Sequence, residues 1–350
     1  MKKFSFLVLP VFILYNSYSQ IGGENTYEFL NLPASARVTA LGGSAITIID
    51  GDLSLAYNNP SVLNPDMHHT LTASTIAFMG GINFGNLAYA RHWDGIGTFD
   101  AGMQYLTYGK MSRTDETANI TGNLSAGEYA LYIGGARPFE KYSFGGNFKL
   151  IYSQLADYKS LGVALDLAAT YNDTAKNFTA ALVIKNVGIQ MKPYTKGNQE
   201  GLPFDIQIGI SKRLKHLPFR INVLAHNFFR WDVRYDDPNS VQEVDFLGEQ
   251  VGNEEKKVSV FFDNFFRHFI FAGEFYFGKA VRVGFGYNHL RRKELTLDTK
   301  KGLAGVSLGF GIKIKQFEIS YGLGKYHLAG TANHFTVNTN IGGFVKKKRL

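Results

Sequence analysis

The sequence predicts an all-β fold, namely a fourteen-stranded antiparallel transmembrane β-barrel with a small N-terminal hatch. Three observations predict it. The N-terminus is typical of exported proteins. From about residue 69 onwards, apolar and polar residues alternate with a period of two, as in strands with two different faces. The segments between the alternating stretches separate into a short and a long set, as the turns and loops of a membrane barrel do.

Residues 1–19 have the pattern of a cleavable signal peptide. Lys2 and Lys3 precede an apolar run over 4–14, and a small-residue exit ends at Ser19. The apolar run is too short to cross a bilayer as a helix. The chain has no cysteine, which excludes a lipoprotein anchor at the cleavage site and a disulfide framework. We therefore expect export, with cleavage after Ser19.

Composition agrees with a barrel. The chain has 38 Gly, 29 Phe and 19 Tyr but only 9 Pro, and no later stretch of about 18 uncharged apolar residues could form a membrane helix. The formal net charge of +8 includes a basic tail over 345–350. Beside a membrane strand, such a tail is expected to be periplasmic and to contact headgroup phosphates rather than nucleic acid.

The alternation predicts fourteen strands. In 142–153, for example, Phe148 and Leu150 fall on one face while Asn147 and Lys149 fall on the other. Most segments are about 11 to 14 residues long, which suits a tilted bilayer span better than a globular sheet. The predicted strands are 69–79, 81–92, 98–109, 128–138, 142–155, 158–172, 178–188, 203–213, 219–230, 267–278, 280–291, 301–313, 315–327 and 332–344.

The connections predict an orientation. All the long ones, 110–127, 189–202, 231–266 and 292–300, follow odd-numbered strands, whereas every connection after an even-numbered strand is short. Short exceptions also follow odd-numbered strands, for example at 80–81 and 156–157. Outer-membrane barrels place short turns in the periplasm and long loops outside. We therefore expect a multi-pass barrel over 69–344 in the outer membrane of a Gram-negative cell, with both termini periplasmic.

Residues 20–68 do not alternate, and they contain apolar residues such as Leu32, Val38 and Leu41 that could pack. They predict a hatch inside the barrel or at its periplasmic mouth; the alternative is an unstructured leader. The runs PASARVTALGGSA (33–45) and DLSLAYNNPSVL (52–63) resemble the hatch of FadL-like barrels. The resemblance implies that five residues pack the hatch: Arg37, Gly42, Gly43, Asn59 and Pro60.

Together with GGENTYEFL at 22–30, the hatch resembles most closely the PorQ branch of the PorV/PorQ family of type IX secretion system proteins. The resemblance implies a non-catalytic outer-membrane scaffold without cofactors. Such a scaffold anchors a cell-surface attachment complex that processes and attaches secreted cargo. The implied partners are PorZ, PorU and PorV-like proteins, besides outer-membrane lipid and lipopolysaccharide. The alternative is a FadL-like channel for hydrophobic small molecules.

Charged residues on the polar faces of the strands are expected to meet inside the lumen. Salt bridges between hatch and wall, which Arg37 could join, are favoured over a substrate path. The residues of this predicted lumen charge network are Lys149, Asp205, Arg220, Glu274, Arg282 and Glu318.

The predicted outer loop 231–266 is the best candidate for a partner-docking site, because long loops in compact domains are usually functional. It is acidic first and aromatic towards its end, and exposed aromatic clusters tend to bury themselves in a partner. Alternatively, the Phe cluster lies in the outer leaflet at the start of the next strand. The predicted docking residues are Trp231, Phe246, Phe261, Phe262, Phe265 and Phe266.

Enzymatic motifs are weak. Residues 305–309 match the hydrolase motif G-x-S-x-G, but that motif needs a strand-to-helix turn, whereas Ser307 falls within a predicted strand. The neighbouring His68 and His69 would point to opposite faces of a strand, so they do not suggest a metal site. The sequence predicts neither a catalytic nor a metal-binding residue.

Overall fold

The structure, a computed structural model, describes residues 25–234, 257–295, 303–327 and 330–345. Fourteen strands close into one antiparallel barrel, and two further strands, β4 and β5, form a separate hairpin. The strands are β1 (Thr70–Ala77), β2 (Asn83–Trp93), β3 (Gly97–Thr107), β4 (Met111–Thr114), β5 (Ile120–Leu124), β6 (Ala126–Phe139), β7 (Tyr142–Leu155), β8 (Tyr158–Asp173), β9 (Phe178–Lys192), β10 (Asp205–Arg213), β11 (Phe219–Ala225), β12 (Phe269–Phe277), β13 (Val281–Asn288), β14 (Val306–Ile314), β15 (Phe317–His327) and β16 (Gly330–Asn340).

Neighbouring barrel strands follow one another in sequence, and β1 closes the ring by pairing with β16 from Thr70 opposite Asn340 to Ala77 opposite Asn333. The hairpin interrupts this order only between β3 and β6, which pair directly. All fourteen predicted spans correspond to barrel strands, which confirms the fold class. Closure leaves no open sheet edge, the condition that a bilayer imposes on a β-structure.

The outer face of the barrel is apolar and the inner face is polar or small. On β14, Leu308 and Phe310 are about half exposed, while Ser307 between its apolar neighbours is buried. On β7, Phe148 is 52% exposed whereas Lys149 is 0% exposed. Burying polar side chains and exposing aromatic ones is the reverse of a soluble protein. The arrangement is that of a transmembrane β-barrel whose exterior faces lipid.

In the part of the chain that the structure describes, four short helices accompany the strands: α1 (Ala36–Ala40), α2 (Lys257–Arg267), α3 (His289–Glu294) and α4 (Gly342–Val345). The same residues include five 3₁₀ turns, at Glu28–Asn31, Leu53–Leu55, Pro60–Val62, Pro65–Met67 and Met79–Gly81. No helix within the described ranges is long and apolar enough to cross a bilayer.

Two predicted loops contain regular structure. The stretch 110–127 contains the β4–β5 hairpin, in which Ser112 pairs with Asn123. The stretch 231–266 includes most of α2, so its aromatic cluster belongs to a helix and not to the start of the following strand. Neither departure follows from period-two alternation, because both elements are short and lie outside the barrel wall.

Several strand ends differ from the prediction. Strand 219–230 stops at Ala225, because Asn227 adopts a left-handed backbone with φ of 59°. Strand 280–291 stops at Asn288, whose side chain caps α3 by accepting a hydrogen bond from the backbone N–H of Arg291. In the other direction, β9 continues to Lys192. Local hydrogen bonding at the barrel rim decides these boundaries.

The two ends of the barrel differ in the length of their connections. One end, here called the turn end, has short connections such as Glu140–Lys141 between β6 and β7 and Lys315–Gln316 between β14 and β15. The other, here called the loop end, carries the long connections. The grouping agrees with the sequence, and β1 begins at the turn end.

Candidate functional site

The described part of the hatch, residues 25–68, lies inside the ring of strands. Its backbone and side chains contact opposite walls: Ala36 N donates to Thr336 Oγ1 on β16 at 2.8 Å, and Asn59 Nδ2 donates to Thr170 Oγ1 on β8 at 3.0 Å. Leu30, Val38 and most other apolar residues of the hatch are fully buried. The inner wall and the hatch therefore bury their side chains against each other.

Arg37 is the centre of a buried ion cluster. It projects from α1, whose first turn is capped by Ser35. Its Nε donates to Glu274 Oε1 at 2.7 Å and its Nη1 to Asp52 Oδ2 at 3.0 Å, while Nη2 lies 2.9 Å from Asp50 Oδ2. The Arg37 side chain is 3% exposed and that of Glu274 is 1% exposed. A guanidinium with three carboxylates within ion-pair distance is strongly held, and it fastens the hatch to β12.

Three other residues of the predicted lumen network join this cluster. Arg220 Nη1 lies 3.5 Å from Glu274 Oε2, and Arg282 Nη2 lies 3.3 Å from Asp52 Oδ2. Arg282 also forms an ion pair with Glu318. Because these residues come from β11, β12, β13 and β15, their meeting depends on strand register. Asp50 and Asp52, which were not among the predicted network residues, complete the cluster. Period-two alternation could not predict them, because they lie in the hatch and not in a strand.

The other two predicted network residues lie elsewhere, so the six do not form one network. Lys149 pairs with Asp166 at 2.6 Å and donates to Asn186 Oδ1 at 2.9 Å, with its Nζ 4.6 Å from the centre of the Tyr57 ring. Asp205 accepts from Gln207 Nε2 at 2.7 Å on its own strand. Period-two alternation places side chains on the inner face but does not specify their height or neighbours.

The predicted hatch-packing residues all contact the barrel wall or another part of the hatch. Gly42 and Gly43 have φ of 90° and 101°, and a Cβ on Gly42 would lie 2.5 Å from Ile270 Cγ2. Asn59 also donates to Ile46 O at 2.5 Å. The backbone of Pro60 passes so close to β7 that a Cβ on Gly145 would lie 2.7 Å from the Pro60 carbonyl carbon. At Gly42 and Gly145, any larger residue would collide with the wall or with the hatch backbone.

The hatch separates two cavities. One of about 380 Å³ lies at the loop end, and another of about 190 Å³ lies at the turn end beside Asp50 and Lys279. Between them, next to Arg37 and Leu41, is a gap of about 10 Å³. A gap of that size holds about one water molecule at most. Beside Arg37, the hatch therefore leaves almost no open space between the two cavities.

The aromatic cluster lies on one face of α2, at the loop end. Phe261 and Phe262 are 51% and 53% exposed, and Phe265 and Phe266 are 36% and 43% exposed. Trp231, also 53% exposed, lies beside them with its ring centroid 5.5 Å from that of Phe261. The structure thus brings five of the six predicted docking residues together, whereas Phe246 lies outside the described residues. The predicted signal peptide and residues 346–350 of the tail lie outside them too.

Polar contacts hold the opposite face of α2 against α3 and the segment 231–233. Asn264 is 4% exposed; its Nδ2 donates to Trp231 O at 2.7 Å and its Oδ1 accepts from Val233 N at 3.2 Å. Asp263 lies 2.8 Å from both Arg267 Nη2 and Lys293 Nζ. Partial burial opposes ionisation of Asp263, but hydrogen bonds from Lys293 and Arg267 outweigh it and lower its pKa to about 2. The aromatic face is therefore held outward.

Ser307 does not have the geometry of a hydrolase nucleophile. It lies within β14, is 3% exposed, and donates to Ala40 O of the hatch at 2.9 Å. A nucleophile elbow instead exposes its serine on a strand-to-helix turn. Within the described ranges, no group of His, Asp and Glu residues could hold a metal ion.

The closed ring, the apolar exterior and the internal hatch define the class of protein: a plugged transmembrane β-barrel of the outer-membrane type. No protein-family model matches the sequence, and no curated protein matches it.

Three solved structures illustrate the similarity of fold. They are the toluene transporter TodX of Pseudomonas putida (TM-score 0.48, 13% identity, covering 88% of this chain and 96% of that chain), the monoaromatic hydrocarbon channel CymD (0.48, 11%, 88% and 96%) and a FadL homologue of Pseudomonas aeruginosa (0.41, 9%, 87% and 97%). At these identities and TM-scores, the similarity concerns the fold and does not extend to function.

Proposed function

We propose that this protein is a non-catalytic scaffold in the outer membrane of a Gram-negative cell, which docks a protein partner at the loop end of its barrel. In this proposal the loop end faces outward and both termini are periplasmic. The observation that carries it is the aromatic face of α2, where four phenylalanines and Trp231 are exposed side by side. Exposed aromatic clusters of this kind supply the binding energy of protein interfaces.

The way in which α2 is held supports docking. Its polar side chains Asn264 and Asp263 contact the Trp231 carbonyl and Lys293 of α3, so the aromatic face is already oriented before a partner arrives. Preorganisation lowers the entropic cost of association. Ring contacts also join Phe265 to Phe269 at 4.9 Å and Phe269 to Phe271 at 6.0 Å, which continues the aromatic surface onto the wall. The docking surface is therefore at the outer rim.

The hatch inside the lumen also favours a scaffold over a passive pore. Passage through the barrel would require displacement of the hatch, and Arg37 with its carboxylates opposes that movement. The more specific role comes from the resemblance of the hatch to the PorQ branch of the PorV/PorQ family. Under it, the partners are PorZ, PorU and PorV-like proteins of a type IX attachment complex that processes and attaches cargo.

The test is affinity purification of the tagged full chain from native membranes, with and without the double substitution Phe261→Ser and Phe262→Ser. We expect the parent chain to retain a surface protein that the double variant loses. Ile120→Ser is the control, because Ile120 is 72% exposed on a different loop-end hairpin. Heat-modifiable migration on gels verifies that each barrel is folded.

Two outcomes would contradict the scaffold. In one, the double variant retains the same partners but binds lipid vesicles less well, which would assign the aromatic face to the outer leaflet. In the other, purification recovers no partner while liposomes containing the protein take up hydrophobic compounds.

The second candidate is a FadL-like channel for hydrophobic small molecules. The named solved structures are hydrocarbon channels and a FadL homologue, so the comparisons agree with this alternative and provide nothing for a secretion scaffold. In this chain, a groove of about 330 Å³ beside Leu303, Leu308 and Leu323 at the loop end of β14 and β15 favours it. Uptake of toluene or palmitate into proteoliposomes, lost on Leu308→Asp, would support the channel.

A further inference from the structure

The loop-end cavity is polar and combines residues from the hatch, the wall and α3. Its volume of about 380 Å³ lies in the lower part of the range of small-molecule sites, roughly 300–1,000 Å³. Lys185 of β9 and His226 after β11 line it from the wall, Glu28 lines it from the hatch, and Arg291 and Glu294 line it from α3. This site is separate from the aromatic face of α2.

Lys185 is the unusual residue of this cavity. It is 3% exposed, yet within the described ranges no hydrogen bond or ion pair involves its amino group. Asp205 is its register partner on β10, but the Asp205 carboxylate accepts from Gln207 Nε2 and from Asn227 N at 2.7 Å and lies outside ion-pair distance. A buried cation without a partner is costly unless an anion arrives from outside.

His226 lines the same cavity. It is 9% exposed, and its Nε2 has no hydrogen-bond partner within the described residues. The Nε2 atom has almost no accessible surface of its own, so in this conformation it is closed off from the cavity. Lys185 therefore provides the unsatisfied group at the wall of the cavity, and the His226 ring forms part of the lining beside it.

The other charges restrict the kind of anion. Lys185, Arg230 and Arg291 are balanced by Glu28, Asp205 and Glu294, so the cavity lining is electrically neutral with neutral histidine. The two glutamates are exposed, whereas Lys185 is buried. The interior of the cavity thus holds two buried charges, Lys185 and Asp205, and the Asp205 carboxylate already accepts two hydrogen bonds, while the two glutamates lie at the rim. A ligand that complements this arrangement carries its anion at one end and a cation at the other.

We propose that the cavity binds a free amino acid or a short peptide with both ends charged. Its carboxylate lies at Lys185, and its ammonium group lies towards Glu28 and Glu294. Ile270 and Leu290, which also line the cavity, contact aliphatic side chains of the ligand. Phosphate fits less well, because a dianion would meet the lining carboxylates. A fatty acid would leave those carboxylates without a counter-charge.

Calorimetry on the purified full chain in detergent tests the proposal without any partner protein. The probe is L-leucyl-L-alanine, compared with its N-acetylated and C-amidated forms. We expect saturable binding of the free-ended dipeptide and a loss of at least roughly tenfold in affinity when either end is blocked, since each charged hydrogen bond contributes about that factor. These comparisons between ligands use the unaltered chain, so they do not depend on the folding of a variant.

Substitution locates the site. Lys185→Met should weaken dipeptide binding at least roughly tenfold, whereas Lys196→Met, which alters an exposed lysine near the loop end, should not change it. The proposal is overturned if the free dipeptide does not bind, if the blocked forms bind equally well, or if folded Lys185→Met binds like the parent. It is also overturned if inorganic phosphate or palmitate, and not the dipeptide, binds in a Lys185-dependent way.

Discussion

The two sides of the hatch are held to the barrel by different means. On one side, Arg37 of α1 reaches carboxylates of the wall and of the hatch, with Glu274 at 2.7 Å. On the other, the turn at Pro60–Val62 makes neutral hydrogen bonds, such as Ser61 Oγ with Thr170 Oγ1 at 2.6 Å, and its backbone lies against Gly145 of β7. One side is held by buried charge, and the other by close fit. The two sides of the hatch should therefore be sensitive to different substitutions: one side to loss of a charge, and the other to an increase in side-chain volume.

The largest effect is expected from removing the charge. Arg37→Met leaves Glu274 and Asp52 buried without their main counter-charge, and breaking a buried ion pair from one side costs about 3–5 kcal/mol. We expect the free energy of unfolding in denaturant to fall by that amount and the conductance in planar bilayers to rise as the hatch loosens. Arg113→Met, which removes an exposed pair with Asp157, should change stability by less than about 1 kcal/mol. If the two substitutions lowered the free energy of unfolding equally, the buried charge of Arg37 would not hold this side of the hatch.

A smaller effect is expected on the neutral side. Gly145→Ala places a Cβ 2.6 Å from Ser61 N and 2.7 Å from the Pro60 carbonyl carbon, and such overpacking costs about 1–3 kcal/mol. The same denaturation measurement applies. The matched control is Gly122→Ala, where a Cβ would meet nothing within 4 Å. If both glycine variants were as stable as the parent, close fit would not hold this side of the hatch.

The smallest effect is expected for the ion pairs of Asp263, which lie near the surface and not in the barrel interior like those of Arg37. Lys293 and Arg267 lower the pKa of Asp263 from 3.8 to about 2, so its contribution is present above about pH 4 and is lost as the pH falls through about 2. In a Trp93→Phe background, the fluorescence of Trp231 should report loosening of α2 over this range.

Salt provides a further comparison. At about 1 M salt, near-surface pairs of Asp263 should weaken, whereas the Arg37 cluster should not. The transition should disappear in Asp263→Asn. A Trp231 signal that is independent of pH and salt would mean that Asp263 does not hold α2.

The sequence predicted the strands of the barrel wall better than the contacts between side chains inside the lumen. Alternation such as that of Leu308, Phe310 and Ile312 around small residues identifies a strand and its lipid face without knowledge of any neighbour. The same alternation placed Arg282 and Lys149 on the inner face, but it could not predict that the first joins Asp52 while the second joins Asp166. Which inward charges meet depends on register, on barrel shear and on the path of the hatch.

The sequence by itself determined the strand number, the two faces of each strand and the division into short and long connections, because these depend on local periodicity and on turn residues. Only the tertiary structure decided that Arg37 meets Glu274 and that the aromatic residues near 261–266 form one face of a helix. It also decided that Lys185 lines a cavity without a partner among the described residues. The physical reason is that these features join residues 30 to more than 200 positions apart, such as Asn264 with Trp231 and Arg37 with Glu274. Their distances are set by closure of the barrel around its hatch.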